Sequence, residues 1–126
     1  FTLPYWHTQD GFPDLLEIPA TGWHCNLLFN TGNQSDGWKP SPGFVDGTIL
    51  SKLPTTIEEG FQARRKEFQH AIDNNLTYGP AMHPWSVYRF DPELKHLEWL
   101  IEMAKDNNVQ IVNCQQLYDK HKKLAA

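Results

Sequence analysis

The stretch Tyr78-Gly79-Pro80-Ala81-Met82-His83-Pro84-Trp85 lies between two amphipathic segments, and the chain is organised around it. Pro84 lacks a backbone N–H and favours β or polyproline II geometry at the residue before it, His83. The pattern therefore predicts a short strand that ends at His83. A histidine at the carboxyl end of a strand lies where α/β folds place their chemistry. The alternative is a loop histidine that makes one hydrogen bond, an interpretation that so short a motif leaves open.

Two capping signals predict the helices on either side of this stretch. Thr56-Ile57-Glu58-Glu59 has the form of a capping box, and the helix that begins there should stop near Asn74. Asp91 followed by Pro92 predicts the N-cap and first position of the next helix. The apolar face of the first helix comprises Ile57, Phe61, Phe68, Ala71 and Ile72. The buried stripe of the second comprises Leu94, Leu97, Ile101 and Ala104.

The remaining segments complete an alternating pattern. Residues 109–112 are β-rich and predict a strand, and residues 115–124 predict a last short helix. Upstream, residues 15–19 predict a strand, and residues 23–29 predict either a strand or a helical turn. Residues 30–55 are rich in Gly and Pro and predict a long loop with a short strand near its end. Helix, strand, helix, strand and helix in this order predict an α/β fold, a parallel sheet with helical crossovers.

Composition limits the class of protein. The chain has 126 residues, of which 40% are hydrophobic and 13% aromatic, as expected for a single globular domain. The net charge is −4, and the densest basic cluster, Arg64-Arg65-Lys66, lies within a helical segment that also carries acids. We expect this cluster to be a solvated helix face rather than a nucleic-acid patch. No apolar run is long enough to span a membrane, so neither nucleic acid nor membrane is the expected partner.

The cysteines and histidines give weaker signals. Cys25 and Cys114 belong to no CxxC pair, which argues against a structural zinc site, and the sequence leaves free thiols and one disulfide equally open. His24 next to Cys25 could suggest a nucleophile pair, but adjacent residues on a strand point to opposite faces. His70 and His96 should face solvent on their helices, and the histidine at position 121 should pack on the last one.

Several of these motifs together resemble the C-terminal end of the polysaccharide deacetylase family, the carbohydrate esterase family 4 enzymes and their allantoinase-like relatives. The likeness is carried by Met82-His83-Pro84-Trp85, by the Leu-rich helix after Asp91, and by Val109-Gln110-Ile111-Val112 followed by Leu117. Pro4-Tyr5-Trp6 and Leu16-Glu17-Ile18-Pro19 resemble the stretch that precedes these motifs in larger members. The resemblance covers most of residues 1–29 and 56–124.

The resemblance implies that the α/β fold is part of a distorted (β/α) barrel. It also implies a divalent metal, zinc or similar, and hydrolysis of N-acetyl groups on a polysaccharide or another N-acetylated sugar. Family members bind the metal through an Asp-His-His set in their N-terminal half, but this chain has neither an Asp-Asp pair nor a His-x-x-x-His motif. The chain also begins in mid-pattern at Phe1. We therefore expect it to be the C-terminal portion of such a barrel, completed by an N-terminal half or a second chain and holding no metal by itself.

By the same resemblance, His83 matches the general acid of the family. The family usually sets an Asp against this histidine, and here only Asp36 or Asp46 could serve, if the long loop folds back. Three tryptophans are candidates to bind sugar by stacking, although core or rim packing is the alternative for each; they are Trp85, Trp6 and Trp23. A second hypothesis is a catalytically inactive glycan-binding or structural half-barrel, and a third is a free-standing α/β domain with an unrelated partner.

Overall fold

The computed structural model describes residues 3–22, 24–25 and 56–125, and the part of the chain so described combines one β-hairpin with four helices. The hairpin consists of β1 (Tyr5–His7) and β2 (Phe12–Glu17). The helices are α1 (Ile57–Asp73), α2 (Pro84–Phe90), α3 (Lys95–Asp106) and α4 (Cys114–Ala125). The parallel sheet of a (β/α) barrel stays a prediction, because the strands proposed within residues 26–55 lie outside the described residues.

The second strand of the hairpin overlaps the strand predicted at residues 15–19, and the first strand precedes it. Its strands are antiparallel, with Tyr5 opposite Glu17, and are joined through a 3-10 turn over residues 8–10. Gly11 closes this turn at φ 85°, a left-handed conformation that glycine adopts at little cost. Strand β2 begins three residues earlier than predicted and ends before Pro19.

Helix α1 confirms the capping-box prediction. The hydroxyl oxygen of Thr56 accepts a hydrogen bond from the backbone N–H of Glu59 at 3.1 Å, and the helix ends at Asn74 as expected. Its buried face differs from the predicted one. Phe68 and Ala71 are buried, but Ile57 is largely exposed. The other buried residues of the helix are Gly60, Ala63, Arg64 and Glu67.

The segment after α1 contains one helix that the sequence did not predict. Residues 78–83 form no strand ladder within the described part of the chain, although His83 is extended, with φ −108° and ψ 132°. Pro84 then begins α2, as its fixed φ and missing N–H allow at a first helical position. The proline therefore not only ends an extended segment but also starts a short helix.

Helix α3 begins later than the sequence predicted, at Lys95 instead of Pro92. Asp91 still caps it, because its carboxylate accepts the backbone N–H groups of Lys95 and His96 at 3.0 and 2.6 Å. The predicted buried stripe is correct for half of its members. Ala104 is buried and Leu97 is half-buried, whereas Leu94 and Ile101 are exposed.

The described C-terminal region contains the helix predicted from the sequence but not the predicted strand. Helix α4 covers the predicted residues 115–124 and begins one residue earlier. Residues 109–112 form no strand within the described residues, and Ile111 is 65% exposed. Of the helices that the structure describes, none combines the length and the apolar character needed to cross a bilayer.

Two expectations about charged and polar side chains are wrong. Arg64 is fully buried, so the basic cluster is not wholly a solvated face, although its neighbour Arg65 is exposed with its guanidinium 5.0 Å from the ring centre of Trp99. His96 is also buried, packed against Phe61 with ring centres 5.3 Å apart. Arg64 lies on the apolar face predicted for its helix, three residues after Phe61 and four before Phe68, whereas His96 lies off the stripe predicted for its own helix.

Candidate functional site

His83 lies in a compact cluster with His24 and Cys25. One potential metal-binding atom from each of the three residues lies within 4.8 Å of the others. Sγ of Cys25 is 3.7 Å from Nδ1 of His83, and the centres of the two imidazole rings are 4.4 Å apart. Cys25 is fully buried, whereas both histidines are half-buried. The cluster therefore has an enclosed sulfur on one side and two imidazoles that reach toward solvent on the other.

The cluster forms because residues 21–22 and 24–25 run beside residues 79–83 in the same direction. The backbone N–H of Thr21 donates to the carbonyl of Gly79 at 3.0 Å, and the N–H of Gly79 donates back to the Thr21 hydroxyl at 2.6 Å. Further along, the N–H of Cys25 donates to the carbonyl of Ala81 at 3.2 Å. These bonds fix the relative position of the two segments and hence of the three side chains.

Pro84 determines the position of His83 within this arrangement. His83 is extended because a residue before proline avoids helical geometry. Its carbonyl accepts the N–H groups of Ser86 and Val87, the first hydrogen bonds of α2, while its own N–H donates to Sγ of Cys25 at 3.2 Å. Both the backbone and the ring of His83 are thus oriented toward the same sulfur atom.

A polar network of Arg64, Glu67 and Tyr78 lies next to the segment that leads into the cluster. Arg64 and Glu67, both fully buried on α1, form an ion pair at 2.9 Å. Arg64 also donates to the Tyr78 hydroxyl at 3.2 Å, and that hydroxyl donates to Glu67 at 3.4 Å. Burial raises the pKa of Tyr78 far above its ordinary value, so the phenol keeps the proton that it donates.

Gly22 lies directly on this network. Its φ is +77°, and a Cβ at this position would lie 2.7 Å from Oε2 of Glu67, which is far closer than carbon and oxygen pack. Only glycine satisfies both the left-handed backbone and the close approach. The buried ion pair therefore fixes the turn that leads into His24 and Cys25.

The electrostatic environment favours the neutral form of one imidazole, that of His24. Burial lowers the pKa of His24, and the neighbouring charges of His83 and Arg64 lower it further. A neutral imidazole can accept a hydrogen bond or bind a metal through its unprotonated nitrogen, which an imidazolium cannot do. At neutral pH, His24 is therefore a candidate ligand or acceptor.

The tryptophans proposed to bind sugar lie in different places. Trp85 is 46% exposed with its ring centre 5.4 Å from that of His83, and the Arg89 guanidinium lies 5.2 Å from the centre of the Trp85 ring. Trp6 is half-buried on β1 and packs edge-on against Tyr118 of α4, ring centres 5.4 Å apart. Trp23 lies outside the described residues. The structure thus brings Trp85 to His83.

Sequence reasoning missed the role of Cys25. It predicted that adjacent residues 24 and 25 would point apart, as on a strand, but Cys25 is in helical conformation and its sulfur lies beside His83. The acids considered as partners of His83, Asp36 and Asp46, lie outside the described residues. The structure describes both cysteines, Cys25 buried and Cys114 exposed, and forms no disulfide between them. No spacing rule could have found a contact between residues that are 58 positions apart.

A larger groove lies elsewhere, between residues 75–78, residues 107–112 and α4. Its volume is about 1250 Å³, and neither a histidine nor a cysteine lines it. The three-residue cluster is therefore the better candidate for chemistry.

Comparisons of this chain with protein-family models, with curated proteins and with solved structures found no match. The class of protein therefore rests on the motifs and on the geometry of the cluster.

Proposed function

We propose that this chain supplies the general acid, His83, of a metal-dependent polysaccharide deacetylase that hydrolyses N-acetyl groups on sugars. The proposal rests on the position of the His83 ring. The ring is half-buried, its Nδ1 lies 3.7 Å from the sulfur of Cys25, and the exposed ring of Trp85 lies beside it. A general acid needs a ring that is held in a fixed orientation and yet accessible to substrate.

The proton required by the reaction would come from Nε2 of His83. Hydrolysis of an N-acetyl group passes through a tetrahedral intermediate, whose C–N bond breaks as the nitrogen accepts a proton. Nδ1 faces the sulfur of Cys25, which leaves Nε2 as the nitrogen that donates to the departing amine. Cys25 acts in this scheme as a positioning residue, in the place where the family usually has an Asp. Imidazole suits the task because its ordinary pKa lies near neutral pH.

The metal that the resemblance implies does not fit the residues of this chain. The family set is one Asp and two His, and the motifs that carry it are missing from the sequence. The cluster described above offers a sulfur and two imidazoles and no carboxylate, which is a different set of donors. The proposal therefore assigns that metal to the other half of the barrel, which is also the expected protein partner.

Trp85 is the residue best placed to hold the sugar. Its exposed ring lies next to the proposed acid, and aromatic rings stack on the apolar faces of sugar rings. The same observation also favours the second candidate function, a glycan-binding half-barrel without catalysis. Titration with chitin or peptidoglycan oligosaccharides, followed by tryptophan fluorescence, should show a signal that is lost in Trp85→Ala under either function.

Activity distinguishes the two functions. In the complete protein, His83→Ala and His83→Gln should lower kcat by about 10²–10⁴-fold, the usual contribution of a general acid. His70→Ala is the matched control, since His70 is a half-buried histidine on α1. Unchanged turnover in both His83 variants would refute the assignment of the acid.

A further inference from the structure

We propose that His24, Cys25 and His83 form a binding site for one thiophilic divalent cation, with Zn²⁺ as the natural occupant. The site is distinct from the Asp-His-His set that the resemblance implies, because it uses a sulfur and lies wholly within this chain. Three protein ligands would leave the fourth tetrahedral position to water or to a substrate atom.

The distances in the cluster are close to those of a tetrahedral zinc site. Zn–S and Zn–N bonds of about 2.3 and 2.0–2.1 Å place sulfur and nitrogen about 3.6 Å apart across a tetrahedral ion. Sγ of Cys25 and Nδ1 of His83 are already 3.7 Å apart. All three ligand atoms lie within 4.8 Å, so His24 needs to move by only about 1 Å to complete the site.

The donor set selects the kind of ion. A thiolate and two imidazoles suit Zn²⁺ and similar borderline ions, whereas Mg²⁺ and Ca²⁺ prefer oxygen ligands. The backbone N–H of His83, which donates to Sγ at 3.2 Å, is the type of outer hydrogen bond that stabilises a metal-bound thiolate. The two half-buried imidazoles provide the side from which an ion enters, and the buried sulfur lies behind them.

The scaffold is arranged before any ion binds. The hydrogen bonds of Thr21 and Cys25 to residues 79–81 hold the ligands in two neighbouring segments, and Gly22 fits against the buried carboxylate of Glu67. A site whose ligands are held in place binds more tightly, because less order has to be created on binding. This arrangement distinguishes the cluster from three ligands that meet by chance on mobile side chains.

Cobalt titration tests the site directly. Metal-free protein titrated with Co²⁺ should bind one equivalent, with a thiolate-to-cobalt charge-transfer band in the near ultraviolet and an intense tetrahedral band in the visible. Zn²⁺ should displace both signals. Cys25→Ser should abolish the charge-transfer band, whereas Cys114→Ser should keep it, because Cys114 is the exposed thiol of α4. Absence of the band in the unaltered protein, or its loss in Cys114→Ser, would overturn the proposal.

A second variant covers the case in which the buried sulfur is needed for folding. His24→Gln alters a half-buried ligand and should weaken Co²⁺ and Zn²⁺ by more than about 100-fold, because loss of an outer partner alone costs about 10–100-fold. His70→Gln is the matched histidine control and should bind both ions normally. Equal affinity in the two variants would exclude His24 as a ligand and refute the three-residue site.

Occupation of the site would also regulate the proposed reaction, a consequence that rests on His83 being the general acid. An ion on Nδ1 prevents His83 from becoming an imidazolium, so turnover should fall in proportion to the occupancy measured with Co²⁺. In His24→Gln, inhibition relative to the rate of the same variant without added Zn²⁺ should need more than about 100-fold higher Zn²⁺. Binding without inhibition would refute the general-acid role and leave the metal site standing, whereas absence of binding would refute the metal site alone.

Discussion

Acid should destabilise the fold through His96. The His96 side chain is 2% exposed and is surrounded by aromatic rings, with the ring centre of Phe61 at 5.3 Å and those of Phe90 and Trp99 at 6.1 Å. Burial in this site, followed by the positive charge of Arg64, lowers the pKa of His96 to about 4. The folded protein therefore holds His96 neutral at a pH where the unfolded chain would protonate it.

The sign and size of the effect follow from the folded pKa of about 4 and the ordinary histidine pKa of 6.5. Above about pH 7.5 His96 is neutral in both states and contributes no pH dependence. As the pH falls through 6.5, the unfolded chain binds a proton first, so the free energy of unfolding decreases until the folded pKa of about 4 is reached. The loss from His96 alone is about 2 kcal/mol at pH 5, and about 3 kcal/mol once the pH is below both pKa values.

Urea unfolding at several pH values between about 7.5 and 5 measures this loss, with His96→Phe as the comparison. Phe cannot titrate, and its ring is of similar size and suits the aromatic site. The unaltered protein should lose about 2 kcal/mol more stability over this range than the variant does, because every other histidine is common to both. A parallel loss of stability in the two proteins would refute this role of His96.

Two substitutions test the fixed turns of the structure. Gly22→Ala should lower the free energy of unfolding by about 1–3 kcal/mol from backbone strain, plus the clash with the Glu67 carboxylate. Gly11→Ala is the control, because Gly11 has a similar φ but no atom lies within 4 Å of the added Cβ. Thermal unfolding should show a smaller loss of stability in Gly11→Ala. Asp91→Ala should lower the free energy of unfolding by about 1–3 kcal/mol, because two backbone N–H groups at the start of α3 lose their acceptor. Asp106→Ala, at the exposed end of the same helix, should leave stability in urea unfolding nearly unchanged. An equal loss in both variants would contradict the capping role of Asp91.

The features that could be predicted from the sequence depend on neighbouring residues. The N-terminus of α1 is specified by a hydroxyl and a backbone N–H three residues apart, and both lie within one turn at Thr56. Helix α4 is likewise contained in a short amphipathic segment. For His83 the proline that follows it specifies the extended backbone. In each case the interacting groups are close in the chain, so a local pattern is sufficient.

The features that could not be predicted depend on tertiary partners. Arg64 is buried because Glu67 and Tyr78 satisfy it, and the Arg-x-x-Glu spacing on α1 was the available signal for the first of these contacts. His96 is buried by rings from three helices, which no single helical pattern contains. The contact of Cys25 with His83 joins two segments far apart in the chain, so only the folded arrangement reveals it.

The contact between Cys25 and His83 underlies both the proposed acid and the proposed metal site, and nuclear magnetic resonance of the imidazole nitrogens tests it most directly. In metal-free protein, Cys25→Ala should shift the ring nitrogens and the backbone amide of His83, because Sγ lies 3.7 Å from Nδ1 and accepts the N–H at 3.2 Å. Cys114→Ala should leave these resonances unchanged. His83 resonances that are unaffected by Cys25→Ala, while the resonances of α1 show an intact fold, would contradict the account.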